Sequence, residues 1–328
     1  MKLLKLVPDD TNIDFLKWRV FAFGISLLLM AASVGLVATK GLNFGVDFIG
    51  GQMIRATFTQ VAEAPVSELR ANVATLGYGE PTIQRFGKEN QVSIRMKLPD
   101  GADKNPELAN AMAVKIIDKL KADYPGVRID GKDSVSGKVS EELFGKGMLA
   151  LLAAMAGVSL YIWIRFEWQF GVGAIWSLVH DVTLTFGLFS LLELEFDLNI
   201  IAALLTIIGY SLNDTVVVYD RIRENLLKFR KMDMAGLLNL SVNETLARTV
   251  MTSVSISLPL LVLVFFGPDV IFGFSLAMAF GIIIGTYSSI YQAAPILIWL
   301  KVGPHSFVPS EGVASKAERM DEGFGAQP

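Results

Sequence analysis

The chain has 328 residues, of which 52% are hydrophobic and 19% are charged, and its mean hydropathy is +0.48. This composition is too apolar for an ordinary soluble protein, and the net charge of -3 argues against a generally basic nucleic-acid-binding protein. The absence of cysteine excludes disulfides and thiolate chemistry, and two histidines argue against a histidine-rich metal site. We therefore expect no metal and no cofactor. Charges are concentrated in a few segments, which is typical of a polytopic membrane protein.

The first apolar run follows a short polar N-terminus, residues 1–19. It extends from Val20 to Ala38 and is flanked by Arg19 and Lys40. The run is longer than the apolar core of a signal peptide, and glycine-rich sequence rather than a clear cleavage site comes after it. These features favour a transmembrane helix, residues 20–39, over a cleaved signal peptide.

A glycine-rich segment, GLNFGVDFIGG at residues 41–51, comes directly after this helix. Glycine permits positive φ and a close approach of two backbones, so the spacing alone predicts a turn that leads into a strand. Its apolar residues alternate with glycines and with two polar side chains. The positions of interest are Gly41, Asn43, Gly45, Asp47, Gly50 and Gly51.

Residues 40–146 contain a water-soluble domain. Ile54, Ala56 and Phe58 alternate as in a strand, and two later stretches repeat apolar residues at helical spacing. The predicted order of elements is β-α-β-β-α-β, which is the ferredoxin-like arrangement. The domain lacks a histidine cluster, a phosphate-binding loop and a Ser/His/Asp set, so the carboxylates and lysines of its helices are best interpreted as a solvated face.

Five more apolar stretches predict membrane spans, which gives a polytopic α-helical membrane protein with six transmembrane helices. A polar, basic loop separates the fourth and fifth helices, and a short polar tail, predicted to be disordered, ends the chain. The predicted spans are 147–166, 170–192, 198–219, 248–266 and 272–300, with the loop at 220–247 and the tail at 301–328.

The orientation follows from the distribution of Lys and Arg. The linkers after the third and fifth helices carry Glu193, Glu195, Asp197 and Asp269 but no basic residue. Positive charge lies instead in the N-terminus, around Arg165, in the loop at 220–247 and in the tail. The positive-inside rule then predicts that both termini are cytoplasmic and that the soluble domain is periplasmic. Two such six-helix units normally pack as pseudosymmetric halves, so one unit implies a partner half.

Asp214 is the most informative position, because it lies in an apolar helix beside Asn213. A carboxylate at the centre of a membrane helix costs roughly 2.5–3.5 kcal/mol and is by default a functional hypothesis. Six residues separate it from Asp220 at the predicted helix end, which is about 9 Å. The alternative is a buried carboxylate that only serves helix packing.

Arg248 begins the fifth predicted helix at a comparable depth, with Thr252 one turn further on. An Asp and an Arg on consecutive helices can pair, and such a pair can control whether the carboxyl group carries a proton. The alternative is an interfacial arginine whose charged end reaches the membrane surface.

His180 and Asp181 lie in the middle of the third predicted helix, and histidine titrates near neutral pH. They are candidates for a proton path, or else a satisfied polar pair that holds helices together. The sixth helix repeats small residues every four positions, a ridge that lets another helix, including one of a partner subunit, approach closely. The ridge consists of Gly273, Ala277, Gly281, Gly285 and Ser289.

Four segments resemble the SecF family, the smaller members of bacterial SecD–SecF protein-export pairs. They are GLNFGVDFIGG at 41–51, HD at 180–181, SLNDTVVVYDRIREN at 211–225 and ETLARTVMTS at 244–253. The resemblance covers the whole membrane part and implies the six-helix half-unit of the resistance-nodulation-division (RND) superfamily. One departure is Ser136-Gly137 before the second helix, where the family often has Gly-Pro.

The resemblance implies a role in bacterial protein export at the inner membrane. SecD would supply the other half, SecYEG the channel, and proton flow would drive late translocation of the exported polypeptide, with YajC and SecA as further partners. Asp214 looks like the proton-coupling aspartate and Arg248 like its arginine partner. Two alternatives remain open: half of a small-molecule exporter of the same superfamily, and a structural subunit that moves no protons.

Overall fold

The computed structural model describes residues 7–8, 11–86, 88–99, 101–102 and 105–303. The elements alternate between long helices and one small α+β domain. In chain order they are a 3-10 turn (Leu16–Trp18), α1 (Arg19–Lys40), β1 (Asn43–Phe44), α2 (Val46–Ile49), β2 (Gly51–Phe58), α3 (Val66–Ala74), β3 (Thr82–Phe86), β4 (Lys88–Met96), α4 (Pro106–Asp123), β5 (Val127–Val135), α5 (Gly137–Arg165), α6 (Trp168–Leu192), β6 (Glu195–Phe196), α7 (Leu198–Lys228), α8 (Met234–Phe266), a 3-10 turn (Asp269–Ile271), α9 (Phe272–Ser288), a π-helical turn (Ser289–Ala293) and α10 (Ala294–Trp299).

Among the described residues, six helical segments are long and apolar enough to cross a membrane. They are α1, α5, α6, α7, α8 and the broken segment Phe272–Trp299. About half of the apolar stretch of α6, of α7 and of the sixth segment is buried, whereas α8 is only 11% buried. The three buried segments therefore form the centre of the bundle, and α8 presents most of its surface to lipid or to another protein.

The small domain, residues 51–135, contains a four-stranded antiparallel sheet in the order β3-β4-β2-β5. Helices α3 and α4 follow β2 and β4 in the chain and pack against the sheet in one apolar cluster. Ile54 and Ile94 from the sheet and Met112 and Ile116 from α4 lie at the centre of this cluster, each no more than 1% exposed. The domain thus has its own hydrophobic core, separate from the apolar contacts of the membrane part.

Several helices continue beyond the predicted membrane spans, because hydropathy marks where a helix enters lipid rather than where it ends. Helix α5 begins at Gly137, ten residues before the predicted span, with the Ser136 hydroxyl accepting from the Val139 amide at 3.4 Å. The segment predicted as a polar loop, 220–247, is mostly helical, since only residues 229–233 lie outside α7 and α8. Of the predicted tail, residues 304–328 lie outside the described residues.

The sixth membrane segment contains a π-helical turn between two α-helical parts. Pro295 lacks an amide proton and its ring would clash with the preceding turn of a regular helix, and the π-helical turn just before it accommodates the change. The carbonyl of Ala293, in this turn, accepts from the hydroxyl of Tyr219 at 3.1 Å. Tyr219 is fully buried on α7, so this hydrogen bond joins the turn to the centre of the bundle.

The ridge of small residues on α9 packs against α7 of the same chain. A methyl group added at Gly281 would lie 2.5 Å from the side chain of Ile207, and one at Gly285 would lie 3.0 Å from Cβ of Ser211. At Gly273, by contrast, the added group would make an ordinary contact of 3.5 Å with Ile200. The ridge is thus the reason that α7 and α9 approach closely.

We expect Gly281→Ala to destabilise the protein by about 1–3 kcal/mol, because the new methyl group overpacks the contact with Ile207. Gly273→Ala is the matched control, since it adds the same helix propensity at a site that has room. Melting temperatures of the purified variants in detergent test this difference. Equal melting temperatures for the two variants would show that the ridge does not set the helix spacing.

Candidate functional site

The carboxylate of Asp181 lies at the meeting point of α6, α7 and α9 and is 1% exposed. Its Oδ2 accepts from the hydroxyl of Ser211 at 2.5 Å and from that of Ser288 at 2.9 Å. Its Oδ1 lies 2.9 Å from Nδ1 of His180. Both oxygens therefore have partners, which is what a carboxylate needs when it is removed from water.

A second layer of polar groups extends from this carboxylate toward α1. His180 is fully buried, its ring stacks on Tyr287 with centroids 6.1 Å apart, and its Nε2 has no hydrogen-bond partner among the described residues. The hydroxyl of Tyr287 lies 3.0 Å from that of Ser26, which also accepts from Gln292 at 2.9 Å. Polar contacts thus connect α1 to α9 across the apolar layer.

Asp214 lies one turn of α7 beyond Ser211 and is 2% exposed. Among the described residues its carboxylate has one hydrogen bond, a long one of 3.3 Å from the hydroxyl of Thr286. Thr286 in turn lies 2.7 Å from the hydroxyl of Ser253 on α8, to which Tyr210 donates at 3.1 Å. Asp214 is therefore far less compensated than Asp181, although both are buried.

Arg248 is exposed and makes no ion pair with Asp214 among the described residues, so the predicted pair is not formed in this structure and stays a prediction. Arg248 and Asp214 do lie at matching depths along their helices. Ser253 and Tyr210 are hydrogen-bonded, and Arg248 and Asp214 lie about 6–8 Å beyond them in the same direction along their helices. The helix turns about 100° per residue, however, so Arg248 points about 140° away from Ser253.

Asn213 and Thr252 also stand apart from the buried carboxylates. Asn213 is exposed beside Asp214, on the outer side of α7. The hydroxyl of Thr252 returns to its own helix, where it donates to the carbonyls of Arg248 at 3.1 Å and Thr249 at 2.9 Å. Of the predicted site residues in the membrane, the structure therefore joins His180 with Asp181. Asp214 lies one turn along α7 from Ser211, which is hydrogen-bonded to Asp181.

Six hydroxyl residues of the site were not among the predicted site residues. They are Ser177, Tyr210, Ser211, Ser253, Thr286 and Ser288, all in apolar helices. Such residues commonly bond to the backbone of their own helix, so an isolated Ser or Thr in an apolar run carries little information. Only the way the helices pack shows which hydroxyls face a carboxylate.

The glycine-rich segment 41–51 joins the small domain to the membrane helices. Strand β1 pairs in parallel with β6, the linker between α6 and α7, and Asn43 donates to the carbonyl of Glu193 at 3.0 Å. Asp47 accepts from the amide of Leu198 at 3.1 Å and so caps the first turn of α7. The segment therefore holds the N-terminus of the helix that carries Asp214.

Backbone conformation and close contacts explain why glycine occupies these positions of the segment. Gly41 and Gly50 have φ values of 76° and 77°, and Gly41 ends α1 with its carbonyl accepting from Ser190 at 2.8 Å. A side chain at Gly45 would lie 2.8 Å from the carboxylate of Glu195, and one at Gly51 would lie 2.6 Å from the carbonyl of Met96. The predicted turn into a strand is present, with the short helix α2 between β1 and β2.

Charges concentrate where the domain meets the linker. The guanidinium of Arg55 on β2 pairs with Asp133 on β5 and lies 3.9 Å from Glu195 on the linker. Burial raises the pKa of Glu195 despite the opposing effect of Arg55, and burial likewise raises the pKa of Asp197. These two carboxyls take up protons more readily in the folded protein than free side chains do.

Among the described residues, no three His, Asp or Glu side chains lie together in a way that would hold a metal ion. The membrane site instead holds groups that can donate and accept protons. It contains two carboxyls, a histidine and several hydroxyls inside an apolar layer.

Comparison with known families defines the class of the protein. Residues 115–303, more than half of the chain, match the family described as "Protein export membrane protein SecD/SecF, C-terminal". Residues 35–60 match the "SecD/SecF GG Motif", which contains the segment that caps α7. Both matches fall on the elements that form the site and its link to the small domain.

Comparison with individual proteins identifies the family within this class. The chain is 44% identical to the protein translocase subunit SecF of Cereibacter sphaeroides, over 91% of this chain and 93% of that relative. It is 41% identical to the protein translocase subunit SecF of Pseudomonas aeruginosa, over 92% of this chain and 95% of that relative. It is 34% identical to a SecDF of Thermus thermophilus, a translocon-associated membrane protein, with a TM-score of 0.79 over 89% of this chain and 39% of that one. The chain therefore belongs to the SecF family of protein translocase subunits. Together with the six apolar helices, these matches confirm the prediction of a multi-pass bacterial membrane protein.

The joint between the domain and the linker should respond to pH. Because the pKa of Glu195 is raised on folding, the folded state binds its proton more tightly than the unfolded state does. The contribution of this group is then most favourable below its ordinary pKa and is lost as pH rises through the raised one. We expect the melting temperature to fall less steeply in Glu195→Gln than in the unchanged protein as the pH rises from 4.5, the ordinary pKa of this carboxyl group, through its raised pKa.

The control is Glu193→Gln, because Glu193 lies on the same linker with a side chain that is 71% exposed. That variant should keep the pH dependence of the unchanged protein. An identical dependence in Glu195→Gln would show that the buried linker carboxyl does not titrate with folding.

Proposed function

We propose that this chain is the SecF half of a SecD–SecF complex that uses the proton motive force to complete translocation of preproteins through SecYEG. The observation that carries the proposal is Asp214, a buried carboxylate in a membrane helix whose single hydrogen bond among the described residues is 3.3 Å long. A carboxylate with so few partners is costly in its charged form and can change its protonation state. The neighbouring Asp181, by contrast, is held by three partners.

The energy available per proton is sufficient to bias a conformational equilibrium. One charge that crosses 100 mV releases about 2.3 kcal/mol. Protonation of Asp214 removes a charge from the apolar layer and so favours a different packing of α7. Because Asp47 caps the first turn of α7, a shift of this helix reaches the glycine-rich segment and the small domain.

In this proposal the small domain is a periplasmic ferredoxin-like domain that grips or releases the emerging polypeptide. The strand order β3-β4-β2-β5, with helices after β2 and β4, supports the ferredoxin-like assignment. Both termini are cytoplasmic and the protein lies in the inner membrane, as the distribution of Lys and Arg favours.

SecD would cover the face of α8 that this chain leaves exposed. The apolar stretch of α8 is only 11% buried, and Arg248 lies on it with an exposed side chain. Arg248 would approach Asp214, or an acidic group of SecD, when the two halves pack and move. Asn213 and Thr252 lie beside these residues and would line the same interface, whereas Asp181 and His180 would extend the proton path inward.

The remaining partners follow from the same proposal. The complex would act on the translocating polypeptide after SecA has inserted it into SecYEG, with YajC as an accessory subunit. The coupling ion is the proton, and no cofactor and no nucleic acid take part. The chain would act as a transport subunit and not as an enzyme.

We expect Asp214→Asn to reach the membrane at normal levels and to lower proton-dependent export to the rate seen without a proton gradient. The substitution keeps the size of the side chain and removes its titration. Preprotein translocation into inverted membrane vesicles, with the gradient present or dissipated, measures this. The control is Asp220→Asn, whose exposed carboxylate lies six residues further along α7 and pairs with Arg165 at 3.2 Å.

Arg248→Ala separates this proposal from that of a purely structural subunit. Loss of export with normal assembly of SecD and this chain supports coupling, because failed assembly then cannot be the cause of the loss. Retained proton-dependent export in both Asp214→Asn and Arg248→Ala would contradict coupling and would favour a structural role. Drug sensitivity without a secretion defect on deletion would instead indicate a small-molecule exporter.

A further inference from the structure

We propose that Tyr210, Ser253 and Thr286 form a hydroxyl relay that carries protons between Asp214 and the surface of the membrane part. Thr286 is its last member and exchanges the proton with the carboxylate. This inference rests on the proposed role of Asp214 in proton coupling and adds the side chains through which the proton arrives.

The geometry that carries the relay is a chain of three contacts across three helices. The hydroxyl of Tyr210 on α7 donates to that of Ser253 on α8 at 3.1 Å. The hydroxyl of Ser253 lies 2.7 Å from that of Thr286 on α9, and Thr286 donates to Oδ2 of Asp214 at 3.3 Å. Each hydroxyl can donate and accept at once, so the three can pass a proton in either direction.

The two ends of the relay differ in burial, which gives it a direction. Asp214 is 2% exposed, whereas Tyr210 is half-buried on the surface of the bundle. Tyr210 also lies four residues nearer to the N-terminus of α7, where the small domain is attached. The relay therefore leads from the buried carboxylate toward the half of the membrane that adjoins this domain.

The surroundings of Asp214 offer few other routes for a proton. The neighbouring charged group on α6 is Asp181, whose Oδ2 is already bonded to Ser211, one turn from Asp214. On α8 the nearest charge is Arg248, which is exposed and unpaired with Asp214 among the described residues. On α9 the polar side chain facing Asp214 is Thr286 itself.

The proton transfer begins when a hydronium ion arrives at Tyr210, and every bond that breaks is matched by one that forms. An O–H bond of the hydronium ion breaks and its proton binds the oxygen of Tyr210, while the proton of Tyr210 moves to Ser253 and that of Ser253 to Thr286. The proton of Thr286 then forms the new O–H bond on Oδ2 of Asp214. The net change is one water molecule formed and one carboxylate neutralised, and every hydroxyl is restored.

A structural role for these hydroxyls predicts a different pattern of variants. Ser253 also donates to the carbonyl of Thr249 at 2.8 Å, as many membrane serines do within their own helix. In that case a methyl group in place of the hydroxyl of Thr286 would change stability but not the dependence of export on the proton gradient. The relay requires a hydroxyl, so Thr286→Ser should function where Thr286→Val does not.

The experiment compares Thr286→Val, Thr286→Ser and Ser253→Ala in inverted vesicles from cells in which each variant replaces the native chain. The readout is the ratio of export rates with and without the proton gradient, normalised to the amount of the variant in the membrane. We expect Thr286→Val and Ser253→Ala to lower the gradient-dependent part roughly tenfold or more, and Thr286→Ser to restore it. The control, Thr206→Val, removes an exposed hydroxyl of α7 that bonds to its own helix at 2.8 Å.

Asp214→Asn in the same vesicles separates the failure of the relay from that of the proposed function. If Asp214→Asn loses gradient-dependent export and both Thr286→Val and Ser253→Ala keep it, the relay is overturned and the role of Asp214 stands. If Asp214→Asn itself keeps it, the proposed function fails and the relay fails with it. Should Thr286→Val not assemble, Ser253→Ala decides the outcome alone.

Discussion

Asp181 and Asp214 lie in the apolar layer of the bundle, where lipid provides no hydrogen bonds and neighbouring helices must supply them. The requirement explains why α6, α7 and α9 approach so closely at this level. Ser211 and Ser288 reach Asp181 because the small residues of α9 let α7 come near. Asp214, one turn along α7 from Ser211, receives a single long hydrogen bond among the described residues. The same packing therefore gives one carboxylate three partners and leaves the other with one long hydrogen bond.

The second feature of the chain is the connection between this site and the small domain. Helix α7 begins where Asp47 of the glycine-rich segment caps it, and the parallel pair β1–β6 joins that segment to the preceding linker. Arg55 lies between Asp133 of the domain and Glu195 of the linker, so charge interactions tie the domain to the same point. The start of α7 is thus bonded directly to the segment that leads into the domain.

The sequence alone was sufficient for the six membrane helices, because each span is a long apolar run between charged segments. It was also sufficient for the buried positions of Asp181 and Asp214, since an acidic residue inside such a run must face the protein. It failed at the ends of the helices, where α5, α7 and α8 continue beyond the apolar layer and hydropathy no longer marks them. The matched depths of Asp214 and Arg248 were predictable from helix rise, but their facing directions were not.

The hydroxyl partners of the two carboxylates also could not be identified from the sequence. Ser253 and Thr286 look ordinary in sequence, and their role depends on the rotation of α8 and α9 about their axes. Gly281 and Gly285 were recognised as a packing ridge, but the partner helix could not be named before the fold was known. Contacts between helices distant in sequence thus determine which polar residues form the site.

In the proposed function, Asp214 changes its protonation state in the working complex. Infrared difference spectra of the purified complex, recorded as the pH is stepped, detect the carbonyl stretch of a protonated carboxyl group in an apolar site. We predict such a band in the unchanged protein and in Asp220→Asn, and its loss in Asp214→Asn. A band that persists unchanged in Asp214→Asn would contradict the account, because the titrating carboxyl would then be another residue.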